Sequence, residues 1–224
     1  MAPRPRFWPH SLMAALCLAA AGCGNAPTRP SAAAHAGGPV HPAVQRAQAE
    51  VAQQLQHADA SDFADAKRGF IAAPSGQVRN EAGQVIWDHD AFAFQKAEQA
   101  PDSVNPSLWR QARLNNQTGL FQVREGIWQL RGFDLSNITL IQGKTGWIVV
   151  DTGTSRETSA AAMVFARQHL GAQQVSAVVY THSHVDHFGG VLGVISADEA
   201  RARNVPIVAR SRPARPRSGR RGCA

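Results

Sequence analysis

Cysteine is scarce in this chain, with three among 224 residues. Cys17 lies in an N-terminal apolar run, Cys23 just after it, and Cys223 one residue from the end. No pair sits inside the body of the chain, which excludes a disulfide framework. A Cys23–Cys223 bridge would only join two flexible ends. Long apolar runs are missing too. The run Leu12 to Ala21 is far shorter than the roughly 20 helical residues that span a bilayer, so it is not a permanent membrane anchor. Histidine stops at His187, and after it the only carboxylates are Asp198 and Glu199. The formal net charge of +7 says little about the body of the chain. Six arginines crowd into residues 210–224 and two stand in the first six residues, which leaves the stretch between slightly acidic. A nucleic-acid partner is therefore not expected of the folded part.

What is present begins with an export signal. Arg4 and Arg6 precede the apolar run and small residues follow it, so residues 1–22 read as a signal peptide. Ala20-Ala21-Gly22-Cys23 reads as a bacterial lipoprotein box, with Cys23 as the lipid-bearing N-terminus; ordinary cleavage after Ala21 or Gly22 is the alternative. Either way the chain is expected outside the cytoplasm, in the periplasm, and the first route anchors it to the membrane. Residues 23–42, rich in Ala, Pro, Gly and Ser, read as a flexible linker, and 43–209 as the folded body.

Within that body, Val44, Val51 and Leu55 recur at helical spacing and predict a helix from about Ala43 to Gln56. A second begins at Ser61, which reads as its cap. Gly69 to Asp90 reads as loop and short strands. Trp87, Phe92 and Phe94 read as packing residues, with a hydrophobic substrate wall as the alternative. A helix over Ser107–Asn116, entered through Pro106, ends in Asn115-Asn116, a C-cap and turn or else an anion site. The runs Leu120–Arg124, Ile127–Leu130, Ile138–Gln142 and Trp147–Val150 are strands at hairpin spacing. A helix from about Arg156 to His169 follows, with His169 in a structural role at its end. Val175–Tyr180 is a short buried strand, Ala197–Arg203 a helix with Asp198 and Glu199 as first-turn acids, and Pro206–Ala209 another strand.

The chemistry concentrates in Thr181-His182-Ser183-His184-Val185-Asp186-His187-Phe188-Gly189-Gly190. Three of the nine histidines fall there, with a carboxylate among them. The segment follows a strand, and Gly189-Gly190 reads as a sharp turn before the next helix. The loop thus lies at the carboxyl end of a strand, where open α/β sheets place their sites. Imidazoles and a carboxylate are a ligand set for zinc, with iron or manganese as alternatives. Residues two apart in an extended stretch point the same way, so His182 and His184 can share one metal. Asp186 and His187 can reach a second, with Asp186 beside any metal-bound water. Asp151 ends the strand Trp147–Val150, where a carboxylate can cap the turn at Thr152-Gly153.

The pattern H-x-H-x-D-H resembles the metal signature of the metallo-β-lactamase superfamily. Arg131–Thr139, Gly146–Asp151, Gly69–Ala72 and Asn105–Gln111 resemble its alkyl sulfatases, the linear type that hydrolyses dodecyl sulfate. The likeness runs from about residue 44 to about residue 209. It implies an α/β (α+β) chain forming the first half of an αββα sandwich, and a site of two zinc ions that hydrolyses alkyl sulfate esters to alcohol and sulfate. His182 and His184 would ligate one zinc, Asp186 and His187 the other, with Asp186 catalytic and Asp151 orienting a ligand from behind. Sulfatases of this branch more often show Asp-Pro where this chain has Asp151-Thr152.

Residues 210–224, all Arg, Pro, Ser, Gly, Ala and Cys, have no apolar periodicity and read as a disordered tail, the mark of a shifted reading frame. The family's remaining ligands, its second β-layer and its further domains would lie downstream. The chain is accordingly expected to be a truncated N-terminal fragment, inactive alone, with one apolar sheet face uncovered. Homodimers are implied only for full-length relatives. The alternatives are another hydrolase of the superfamily, or a non-catalytic truncated lipoprotein.

Overall fold

A computed structural model describes residues 38–54 and 60–210. The expected signal peptide, Cys23, most of the expected linker and the expected tail from 211 onward lie outside the described residues. Among them no helix is long and apolar enough to cross a membrane.

Helix α1 spans Pro42–Gln54; its expected last residues to Gln56 lie outside the described residues. Helix α2 covers Ser61–Lys67, with Ala60 rather than Ser61 in the cap position. Ser61 is thus the first helical residue, a correction of one position. Helix α3, Pro106–Asn115, starts at Asn105, whose side chain accepts from the backbone N–H groups of Ser107 and Leu108. A proline in the first turn suits it, since that N–H would have no helical acceptor. At the other end the Asn116 N–H donates to Ala112 O, and the Asn116 side chain donates to Phe92 O. The cap-and-turn reading of Asn115-Asn116 holds.

Strands β1 (Phe70–Ala72), β4 (Gly119–Arg124), β5 (Ile127–Arg131), β6 (Ile138–Gln142), β7 (Trp147–Val150), β8 (Val175–Val179) and β9 (Ile207–Val208) form one seven-stranded sheet in the order β1-β4-β5-β6-β7-β8-β9. The hairpin of β2 (Gln77–Arg79) and β3 (Val85–Asp88) stands apart from it. From β4 to β7 the chain meanders antiparallel, because short turns such as Glu125-Gly126 reverse it directly. After β7 helix α4, Arg156–Leu170, carries the chain back over the sheet, so β8 pairs parallel to β7. β9 then pairs parallel to β8.

Strand alternation sets the core. Leu120, Leu130, Ile138, Leu140, Trp147, Val149 and Val178 face one side and are fully buried. Ala162, Met163 and Ala166 of α4 close over them, joined by Val194 and Ile195. Two alanines in that stripe let the helix approach closely, and each large side chain so buried stabilises by roughly 1.5–3 kcal/mol. On the opposite face Ile141, Ile148, Val150, Ala177 and Val179 are only partly buried. Trp87 is half-buried and donates its indole N–H to Gly132 O at 3.0 Å. Phe92 and Phe94 stay exposed, with Phe94 stacked on Trp109 at 6.0 Å between centroids.

Candidate metal centre

Because β7 and β8 run parallel, their carboxyl ends lie on the same edge of the sheet. β6 runs antiparallel to β7, so the β5–β6 loop, residues 132–137, arrives at that edge as well. Three segments distant in sequence therefore meet there, and the predicted site is among them.

Asp151 leaves β7 with φ 59°, in the left-handed region that few residues other than glycine adopt. Aspartate tolerates it better than most. Its N–H donates to Val179 O at 2.9 Å, which ties the bend to β8. Its carboxylate is buried and serves the first residues after β8. Oδ1 accepts from the Thr181 N–H at 2.9 Å, and Oδ2 accepts from Thr181 Oγ1 at 2.8 Å. Oδ2 also lies 2.8 Å from His187 Nδ1. A carboxylate only accepts, so Nδ1 carries the hydrogen and Nε2 turns its lone pair outward. Asp151 does more than cap its turn: it orients His187.

His182 and His184 occupy an irregular stretch after Thr181, while Asp186 and His187 sit on a short helix, α5, Val185–Phe188. The His182 ring centroid is 4.6 Å from that of His184 and 3.9 Å from that of His187. Asp186 Oδ2 is 3.3 Å from His187 Nε2. Thr181 Oγ1 approaches His182 Nδ1 at 3.0 Å, which leaves the far nitrogen of that ring outward as well. Behind the loop, Tyr180 packs edge-on to Phe188, and burial pushes its phenol up, so it remains a neutral hydroxyl.

The loop is fixed from beneath. Thr152 N–H donates to His187 O at 2.9 Å, Gly190 N–H to Gly153 O at 3.0 Å, and Ser136 Oγ to Asp186 O. Gly189 and Gly190 have ordinary negative φ values, so the expected sharp turn is not what requires glycine. The requirement is proximity. A Cβ on Gly190 would overlap Ser159 Oγ, Thr152 O and Ser155 O, and one on Gly193 would overlap the Arg156 carbonyl. Helix α6, Val191–Val194, can then lie directly against α4.

The four predicted ligands, His182, His184, Asp186 and His187, are thus gathered on one edge with Asp151 behind them. They do not form a closed site: among the described residues no three His, Cys, Asp or Glu side chains are grouped to hold one ion. Asp198 and Glu199 stand in the first turn of α7, Ala197–Ala202, and pair with Arg201 and Arg203 at 3.1 and 2.5 Å. His169 Nδ1 lies 2.9 Å from Phe165 O, a helix-end role as expected. Sequence reading cited Asp134 and Ser136 only as part of the Arg131–Thr139 phrase and Thr152 only as the residue after Asp151, and gave none of them a role; their signal is positional, being small polar residues in loops at the carboxyl edge.

A His/Asp loop at the strand ends of a mixed sheet backed by helices is the arrangement of the metallo-β-lactamase superfamily. Residues 131–222 match that superfamily's sequence model. Its relatives narrow the likeness. An (R)-specific secondary-alkylsulfatase of a Pseudomonas species is 47% identical over 163 residues, which cover 73% of this chain and 25% of that protein. A linear primary-alkylsulfatase, also from a Pseudomonas species, is 43% identical over 179 residues, 79% of this chain and 27% of the relative. An alkyl/aryl-sulfatase of Saccharomyces cerevisiae is 39% identical over 169 residues, 75% of this chain and 26% of the relative. The solved structure of the inverting sec-alkylsulfatase Pisa1 from a Pseudomonas species superposes with a TM-score of 0.72 at 45% identity, over 76% of this chain and 27% of Pisa1. The chain spans about a quarter of the length of the relatives it matches.

Proposed function

We propose that this chain supplies part of the catalytic centre of an exported, zinc-dependent alkylsulfatase, which hydrolyses an alkyl sulfate ester to an alcohol and sulfate. The observation that carries the reading is the strand-end set His182, His184, Asp186 and His187 with His187 oriented by Asp151, in a chain 39–47% identical to alkylsulfatases over most of its length. The donors fit zinc in kind: neutral imidazoles with an outward nitrogen, backed by a carboxylate, are the usual arrangement around that metal. They do not fit in number for two ions, because shared in pairs they give each ion two protein ligands, and a zinc site with an open position takes three. His182 and His184 would hold one ion, and Asp186 and His187 another. A bound zinc would supply a water acidic enough to act as nucleophile near neutral pH.

The protein's own part is positioning and proton handling. Asp151 holds His187 in one tautomer. Thr181, itself bound to Asp151, sets the His182 ring. Asp186 presents Oδ2 3.3 Å from His187 Nε2, where its carboxylate would stand beside any water held in the site and could take a proton from it. Four donors leave the 224-residue polypeptide inactive when alone.

The test is sulfate release from dodecyl sulfate with added zinc. It compares this polypeptide, this polypeptide joined after Ala209 to the downstream remainder of the 47%-identical sulfatase, and the joined protein carrying Asp186→Ala. Turnover is expected only from the second. Turnover by the unjoined chain would overturn its inactivity. A joined protein that folds and binds zinc, yet spares alkyl sulfates and cleaves a β-lactam, thioester or phosphodiester, would overturn the substrate.

A further inference from the structure

Asp134 is a buried carboxylate that takes no part in the proposed chemistry, at 5% exposure. Among the described residues no basic side chain pairs with it; hydrogen bonds alone satisfy it. Oδ1 accepts from the Leu135 N–H at 2.6 Å and from Thr154 Oγ1 at 2.6 Å. Oδ2 accepts from the Thr154 N–H at 2.9 Å, the Ser155 N–H at 3.4 Å and Thr158 Oγ1. All but one of these donors belong to the turn after β7 and the start of α4. That turn is the one that bonds the His/Asp loop, through Thr152 N–H to His187 O and Gly190 N–H to Gly153 O. Two residues on, in the same β5–β6 loop, Ser136 reaches the His/Asp loop directly, donating to Asp186 O.

We propose that the β5–β6 loop is a brace for the metal loop, with Asp134 and Ser136 as positioning residues that set where Asp186 and His187 stand. The physical reason is the cost of disorder. Asp186 and His187 lie on a single helical turn, too short to hold its own geometry. Ligand placement there must come from outside. Asp134 fixes the turn on one side of α5, and Ser136 fixes the carbonyl of Asp186 itself. A buried carboxylate with five donors has one arrangement that leaves none unpaired, so the turn it organises is held in that arrangement. The inference rests on the metal reading for its consequence and not for its geometry.

The test uses the whole 224-residue chain, without metal and then with cobalt as the probe. Amide hydrogen exchange at Thr152 and Gly190 reads the two bonds between turn and loop; amides in β5, β6 and β7 serve as the global control. In Asp134→Asn, Thr158→Val and Ser136→Ala, exchange at Gly190 is expected to rise by about tenfold or more while the strand amides hold within about twofold. Thr158→Ser, which keeps the hydroxyl, should return to the parent value. Cobalt affinity should fall by about tenfold in the same three variants. Unchanged exchange at Gly190 in folded variants overturns the brace, and so does a rise shared equally by the strands. Should Asp134→Asn fail to fold, Ser136→Ala and Thr158→Val decide by the same criteria. A parent chain that takes up no cobalt removes the metal reading, while the exchange result still decides the brace.

Discussion

Asp151 combines two separable features, a left-handed backbone and a carboxylate with several donors, and three substitutions pull them apart. Asp151→Asn keeps a side chain that tolerates φ 59° and keeps an acceptor for Thr181. It replaces the Oδ2 shared by His187 Nδ1 and Thr181 Oγ1 with an amide N–H; Thr181 Oγ1 keeps Oδ1 at 3.0 Å, so the net loss is the bond to His187, about 1–1.5 kcal/mol. Asp151→Gly removes every side-chain bond, including those from the Thr181 N–H and Oγ1. Hydrogen bonds to a carboxylate contribute about 1.5–3 kcal/mol, and glycine adds about 0.5–1 kcal/mol through the unfolded chain, so about 3 kcal/mol is expected. Asp151→Ala loses the same bonds and also carries the left-handed penalty of about 1–2 kcal/mol. After the glycine entropy is offset, alanine should be worse than glycine by about 0.5–1 kcal/mol. The assay is urea unfolding followed by tryptophan fluorescence, since Trp147 is fully buried in β7, the strand that Asp151 follows. The expected order of loss is Asn, then Gly, then Ala. Nitrogen NMR of the His187 ring should show its tautomer released in all three. An Asn variant as unstable as Ala, or an Ala variant no worse than Gly, would sink the reasoning: the first denies the separate roles of the oxygens, the second the backbone penalty.

Other predictions are briefer. Gly190→Ala should destabilise by about 1–3 kcal/mol through overlap with Ser159 and the Thr152 carbonyl, read by the same unfolding curve; a neutral result would show that α6 has room to move. Burial holds the His89 imidazole below its ordinary value of 6.5. Below that pH the unfolded chain takes up a proton that folded His89 resists, so stability falls as pH drops. His89→Gln should flatten that fall between about pH 7.5 and about pH 5.5 in urea midpoints. Expressed in a Gram-negative host, the chain should lose its first 22 residues and fractionate with membranes through Cys23. Cys23→Ser should release it or block processing, and an unprocessed cytoplasmic chain would refute export.

Much of this molecule was legible in one dimension, and the reason is locality. The meander β4 to β7 follows from alternating apolar runs divided by turn residues, and the helix read from about Arg156 to His169 is α4, Arg156–Leu170. The candidate donors could be picked out because all four lie within one short stretch. Where sequence reading slipped, the cause was a contact it could not see. Ser61 was assigned a cap that Ala60 occupies. Gly189 and Gly190 were assigned to backbone freedom, whereas close neighbours require them, the Thr154 carbonyl at Gly189 and Ser159 of α4 at Gly190.

By itself, then, the sequence determined the strands, the principal helices and the clustering of the candidate donors, since each depends on neighbours a few residues apart. Only the tertiary structure decided what holds those donors in place. Asp151 meets His187 across 36 residues and Ser136 meets Asp186 across 50. Asp134 binds a turn 20 residues on. Such meetings depend on the parallel register of β7 with β8 and on β6 running the other way, which brings three loops to one edge of the sheet. Nothing in the spacing along the chain encodes that edge, because the pairing of strands is settled by the packing of the whole face beneath α4.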